Sequence, residues 1–152
     1  MYNSPLKEEQ KAIVQGIVSD ASLEQQRALL EWSKALLDVR NSDKAAKIKA
    51  KTAVAATSQR EVIWPLVQVM LQRLKRIGWD ERRWTTRLGG GAIIATVAVF
   101  GGHGAGIAAL GTAIGVPLWI VFGAGGAFAG MLLDELKAVL SKDQDKNSLD
   151  VD

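Results

Sequence analysis

A glycine pattern after an apolar run is the first feature that could carry chemistry. The run "AIIATVAVF" leads to Gly104-x-Gly106-x-x-Ala109, a spacing that imitates the dinucleotide-binding fingerprint. That chemistry needs a parallel sheet around the turn and an acid at the end of a second strand. The next acid is Asp134, and no strand pattern precedes it. We therefore interpret these glycines as helix-packing residues and predict no nucleotide cofactor.

Other reactive side chains are few. His103, the only histidine, lies among glycines and can titrate near neutral pH, so it is a candidate pH-sensitive turn residue that gates or lines a pore. Alternatively, it is a polar residue at an exposed turn or interface. Asp134 and Glu135 are adjacent and point to different parts of a helix surface, so they predict a solvated helix exit. With one histidine and no cysteine, we expect no metal site, no catalytic residue, no small-molecule substrate and no enzyme.

The segment "KAAKIKAKTAVAATSQR" is the densest basic stretch, with Lys44, Lys47, Lys49 and Lys51. Its alanines predict a helix with a thin apolar face. A solvated helix face is the favoured interpretation, and contact with anionic lipid is the next. Nucleic acid is the least favoured partner, because no aromatic side chains interleave with the lysines.

Charge divides the chain into three parts. Residues 1–87 contain 16 basic and 10 acidic residues, 88–133 contain neither, and 134–152 contain 3 basic and 6 acidic residues. We predict a basic amphipathic helical segment over 1–87, an apolar glycine-rich hairpin over 88–140 and an acidic polar tail over 141–152. The start "MYNSPLKEEQ" has no apolar stretch typical of a secretory signal peptide.

Capping signals and apolar spacing predict that residues 1–87 are helical. Ser22 and Gln25 have the spacing of a capping box, and "NSD" at 41–43 predicts a break. The strongest amphipathic pattern is "EVIWPLVQVMLQRLKRIGWD", where Pro65 can start a helix and Gly78 can close it.

The uncharged block at 88–133 is long enough for two passes through a membrane. A spanning helix needs about 20 apolar residues for a hydrocarbon layer ~30 Å thick, and the block has 46. The turn can lie at "GGHGAG" (101–106) or at "GVP" (115–117). We predict that the second long helix runs from Pro117 to Leu140.

Glycine spacing also favours a membrane. Thirteen of the fifteen glycines lie in this block. Glycine inside a helix in water costs about 1 kcal/mol relative to alanine, whereas in lipid small residues drive helix association by letting backbones approach. The predicted packing and oligomerisation residues are Gly102, Gly106, Gly111, Gly115, Gly123, Gly126 and Gly130.

Basic and tryptophan residues precede the block, as is typical of a cytoplasmic membrane interface. The predicted interface residues are Arg73, Lys75, Arg76, Trp79, Arg82, Arg83, Trp84 and Arg87. With two passes through the membrane, both termini lie on the cytoplasmic side, and the uncharged turn crosses to the opposite side. The alternative is a cytoplasmic protein in which the Gly/Ala hairpin is an ordinary buried core, and a chain that inserts only after folding in water fits the same pattern.

The stretch "GAGIAALGTAIGVPLWIVFGAGGAFAG" resembles the loose class of glycine-zipper membrane hairpins, over residues 88–133. The resemblance implies two closely packed helices and self-association. We therefore expect an all-α, non-enzymatic protein that contacts anionic lipid and forms a homo-oligomer, acting as a membrane scaffold or remodeller, or as a multimeric pore-forming effector. The alternative function is a soluble helical oligomer or adaptor whose hairpin packs against a protein partner.

Overall fold

A computed structural model describes residues 5–76 and 113–149, and this part of the chain contains helices and no strands. The all-α class predicted from the sequence is therefore confirmed. The described helices are α1 (Pro5–Asp20), α2 (Leu23–Asn41), α3 (Ala46–Ser58), α4 (Ile63–Arg76), α5 (Gly115–Phe122) and α6 (Gly125–Leu149).

The ends of α2 follow the sequence signals. The Ser22 Oγ accepts a hydrogen bond from the Gln25 N–H at 3.2 Å, and the Ser22 N–H donates to Gln25 Oε1 at 2.8 Å. This is the predicted capping box. At the other end, the Ser42 Oγ donates to the Val39 carbonyl at 2.7 Å, and the chain leaves the helix at the predicted break.

The helix α4 has the most strongly one-sided apolar pattern, as predicted. It begins at Ile63, so Pro65 lies within its first turn, where the missing N–H of proline has no intrahelical partner to lose. Its buried residues are Ile63, Val67, Met70, Leu71 and Leu74. By contrast, α3 buries only Ala50, Ala53 and Thr57. The buried side chains of α3 are therefore much smaller than those of α4.

The short helix α5 lies at the centre of the bundle and contacts α2, α3, α4 and α6. The long helix α6 packs against α1, α2 and α5. Trp119 of α5 is 1% exposed and packs on Phe128 of α6, with ring centroids 5.5 Å apart. Trp119 is therefore a packing residue in this fold.

The predicted single helix from Pro117 to Leu140 is wrong. The chain instead forms α5 and α6, which meet at an angle of 99°. The helix α5 already begins at Gly115, and α6 continues past Leu140 to Leu149. The bond from the Gly123 N–H to the Trp119 carbonyl, at 2.8 Å, is the last helical bond of α5, and Gly123 itself has an extended backbone. Glycine has little preference for continuing a helix.

None of the helices in the described ranges is by itself both long enough and apolar enough to cross a bilayer. The bent pair α5–α6 meets these two criteria when its helices are taken together.

Candidate functional site

The buried helix α5 has the sequence "GVPLWIVF" and contains no charged residue. Every residue from Gly115 to Val121 is buried, and Phe122 is half-buried. Such a helix is apolar all round, which is typical of a core helix or of a membrane segment. The candidate site therefore consists of α5 and the four helices that enclose it, which form its walls: α2, α3, α4 and α6.

A buried hydrogen bond joins α2 to α3, two of the helices that enclose α5. The Trp32 Nε1–H donates to Thr57 Oγ1 at 2.9 Å, and the Thr57 hydroxyl donates to the Ala53 carbonyl at 2.8 Å. Trp32 and Thr57 are 0% and 1% exposed. Because a buried indole N–H needs an acceptor, this bond fixes which face of α3 turns towards α2.

Arg40, in the last turn of α2, binds the carboxyl end of α5. Its Nη1 donates to the carbonyl oxygens of Gly123 at 2.7 Å, Ile120 at 2.9 Å and Val121 at 3.3 Å. The last carbonyls of a helix have no intrahelical partner and carry partial negative charge. A guanidinium group satisfies both needs, so Arg40 acts as the cap that the α5 sequence lacks.

The backbone of Arg40 ties the same corner to α3. The Lys49 Nζ donates to the Arg40 carbonyl at 3.0 Å. Sequence reasoning assigned Lys49 to the basic face and missed Arg40 altogether. In the sequence, Arg40 is recognisable only as a basic residue near the end of a helix. Basic residues are common at such positions, and the sequence does not indicate which carbonyls the side chain binds.

The described glycines of the predicted packing set have different surroundings. Gly115 and Gly123 are buried. A methyl group on Gly126 would lie 2.8 Å from Arg40 Nε, whereas one on Gly130 would have no atom within 4 Å. Next to this set, a methyl group on Gly125 would lie 2.5 Å from the Trp119 ring. Gly125 and Gly126 thus permit close approach of other side chains within this chain. At position 130, no described neighbour is close enough to require glycine.

The predicted membrane-interface set is only partly described. The Arg73 Nη2 pairs with Asp20 Oδ2 at 2.7 Å, and its side chain crosses Gly16 of α1. Lys75 and Arg76 are exposed. The other members lie outside the described residues, as do His103 and the first three packing glycines; they are Trp79, Arg82, Arg83, Trp84, Arg87, Gly102, Gly106 and Gly111.

The outward face of α3 is basic and partly apolar. Lys47, Lys51 and Arg60 are exposed, and Ile48 is 50% exposed. A shallow groove of about 630 Å³ runs beside them; it is lined by Lys51, Thr52, Ala55, Ala56, Gln59 and Arg60. This face combines positive charge, apolar surface and hydrogen-bond donors.

The acids examined in the sequence lie in a different place. Asp134 and Glu135 line a groove of about 310 Å³ between α1 and α6, together with Lys11 and Gln15. Asp134 is exposed and Glu135 is half-buried. Within residues 5–76 and 113–149, no three side chains of the metal-binding types are grouped so that they could hold a metal ion.

In comparisons with protein-family models, with curated proteins and with solved structures, the chain gives no match.

Proposed function

We propose that this chain is a non-enzymatic helical protein that keeps an apolar helix inside its own bundle and releases it into a membrane. On release, α5 and the first part of α6 enter the lipid, and copies of the chain associate through their glycine-spaced segments. The resulting homo-oligomer is a membrane scaffold or remodeller, or a multimeric pore. Its place is the cytoplasmic side of a membrane, with both termini on that side.

The observation that carries this proposal is the burial of α5. A helix without charge is enclosed by α2, α3, α4 and α6, and water-facing residues lie on the outer side of these walls. In lipid, the outer side of α5 needs no wall, because acyl chains are as apolar as the side chains that cover it in the bundle. Exchange of protein walls for lipid therefore loses little apolar contact.

Gly130 supports self-association. It lies on α6, four residues after Gly126, yet a methyl group there would have no atom of the described residues within 4 Å. Glycine in the interior of a helix costs about 1 kcal/mol relative to alanine, and no contact in the described part of one copy requires glycine at this position. Close approach of a second helix gives that glycine a role.

A second candidate function is a helical oligomer or adaptor that works in water, in the cytoplasm. The same burial of α5 favours it, since the chain covers this helix without any lipid. In that case the exposed faces of the walls bind a protein partner, and α5 is an ordinary core helix.

The position of α5 after vesicle binding separates the two candidates. The chain has no cysteine, so Phe122→Cys gives one labelling site at the half-buried end of α5, and Glu24→Cys gives an exposed control site on α2. Each variant carries an environment-sensitive dye and is mixed with phosphatidylglycerol–phosphatidylcholine vesicles that contain nitroxide groups on their acyl chains. We expect quenching of the Phe122→Cys dye and little quenching of the Glu24→Cys dye.

Equal and weak quenching at both sites, with the protein fully bound, would exclude insertion of α5 and favour the adaptor. Release of an encapsulated dye then separates the two membrane outcomes. Leakage that rises more steeply than linearly with bound protein indicates a multimeric pore. Tight vesicles at saturating bound protein indicate a scaffold.

A further inference from the structure

We propose that the outward face of α3 is the surface that binds anionic lipid headgroups, and that this contact draws α3 away from α5. This inference rests on the proposed function and names the surface that starts it. This surface, the α3 face, consists of Lys47, Ile48 and Lys51 of α3, of Arg60 two residues after its end, and of the groove beside them.

Charge complementarity selects a negatively charged partner. Residues 44–60 contain five basic residues and no acidic residue. Lys47, Lys51 and Arg60 project into solvent, and Lys51 and Arg60 line the groove beside the hydroxyl-bearing Thr52. A phosphate group can accept hydrogen bonds from the lysine and arginine side chains, and lysines near an anionic leaflet each add to binding.

The half-exposed Ile48 favours a lipid surface among negatively charged partners. It lies three residues before Lys51, so these two side chains are neighbours on the helix surface, and Lys51 is in turn four residues after Lys47. An apolar side chain among cations is typical of helices that lie in a membrane interface, where the chain enters below the headgroups. A nucleic acid backbone offers the phosphates but no apolar layer for this side chain.

Among the described residues, no salt bridge neutralises the cations of the α3 face. In the described ranges, the pair of Arg73 and Asp20 is the only salt bridge. Lys47 and Lys51 therefore have no carboxylate partner there, whereas Arg73 in the predicted interface set already has one. A headgroup phosphate at Lys47 and Lys51 therefore meets no carboxylate already paired with these lysines among the described residues.

The same helix is the wall of α5 whose fully buried side chains are the smallest. Its buried residues are Ala50, Ala53 and Thr57, while α2, α4 and α6 each bury several large side chains against the core. Because apolar stabilisation grows with the area buried, α3 is the wall most easily removed. Binding of lipid to its outer face thus acts on the weakest part of the enclosure.

Sedimentation with vesicles tests the α3 face. The full chain is mixed with phosphatidylglycerol or phosphatidylcholine vesicles, and the bound fraction is measured for Lys47→Gln/Lys51→Gln. The control is Lys34→Gln/Lys137→Gln, which removes the same charge from exposed positions on α2 and α6. With about 1 kcal/mol for each lysine near an anionic surface, the α3 pair lowers binding to phosphatidylglycerol about 10- to 30-fold, and the control pair lowers it by much less.

A second variant keeps the charge and removes the apolar contact. We expect Ile48→Ser to lower binding to phosphatidylglycerol vesicles several-fold. If the binding of this variant depends on salt concentration as strongly as that of the unsubstituted chain, the lysines still contact the headgroups. Urea unfolding of the variants in the absence of vesicles confirms that these exposed substitutions leave the fold intact.

The outcomes distinguish this inference from the proposed function. If the unsubstituted chain binds neither type of vesicle, both fail. If it binds phosphatidylglycerol and the two lysine pairs weaken binding equally, or neither does, the α3 face is overturned while insertion of α5 stands. If the lysine pair at 47 and 51 abolishes binding to a duplex DNA oligonucleotide while vesicles do not bind, the face recognises nucleic acid instead.

Discussion

Arg40 lies directly over Gly126, so that a methyl group at position 126 would lie 2.8 Å from the guanidinium Nε and 2.9 Å from its Cζ. The same guanidinium donates to the carbonyls of Ile120 and Gly123. One side chain of α2 therefore occupies the corner between α5 and α6. The absence of a side chain at Gly126 is what gives it room there.

Removal of the guanidinium should destabilise the bundle. Arg40→Met keeps most of the aliphatic stem but leaves the carbonyls of Ile120 and Gly123 without this donor. Hydrogen bonds from a charged group contribute about 1.5–3 kcal/mol, so we expect the free energy of unfolding to fall by about 2 kcal/mol. Urea denaturation measures it.

The matched control is Arg27→Met, at an exposed position of the same helix. Surface changes of this kind are usually within about 0.5 kcal/mol. If both substitutions lower the free energy of unfolding by the same amount, Arg40 does not act as a cap for α5.

Arg40 and Gly126 should be energetically coupled. Gly126→Ala forces the guanidinium to move from the carbonyls it binds, so it destabilises the unsubstituted chain. In an Arg40→Ala background the three atoms that the methyl group would meet, Nε, Cζ and Cδ, are absent, and the alanine at position 126 becomes neutral or stabilising because of its higher helix preference. We expect a coupling energy of about 1 kcal/mol from the four unfolding free energies. Additive effects would contradict the observed contact.

The buried bond between α2 and α3 gives a third prediction. Thr57→Val conserves the shape of the side chain but removes the acceptor of the Trp32 Nε1–H. A buried donor left without a partner costs about 1–3 kcal/mol. Thr52→Val is the control, because Thr52 lies on the outer side of the same helix and its hydroxyl bonds only to the Ile48 carbonyl. Chemical denaturation that gives equal losses for the two variants would remove the role assigned to Thr57.

The described helices of the first half were predictable because their signals are local. Ser22 and Gln25 form their capping box within one turn, and the buried residues of α4 follow from their spacing. Neither result depends on distant parts of the chain.

The bend between α5 and α6 was not predictable in the same way. Arg40 binds carbonyls that are 80 to 83 residues away in the sequence, so the cap that stabilises the end of α5 is invisible in the local pattern. The segment "FGAGGAFAG" read alone is compatible with a continuous helix. The enclosure of α5 is also a tertiary property, because an uncharged helix shows the same sequence whether protein or lipid covers it.

Substitution by alanine should change the stability in opposite directions at two glycines of α6, Gly125 and Gly130. Gly130→Ala adds a methyl group where no atom lies within 4 Å, so only the helix preference changes, and we expect stabilisation by about 0.5–1 kcal/mol. Gly125→Ala places its methyl group 2.5 Å from the Trp119 ring and 2.8 Å from the Ile120 backbone nitrogen. Neither neighbour can yield easily in a packed core, and overpacking of this kind costs about 1–3 kcal/mol.

Thermal unfolding of the two variants in parallel measures the difference. The melting temperature should rise for Gly130→Ala and fall for Gly125→Ala, at a protein concentration low enough to exclude self-association. A loss of stability in Gly130→Ala under those conditions would mean that Gly130 packs within one copy of the chain. Its value as support for an association surface would then disappear, while the contact of Gly125 with Trp119 would stand on its own result.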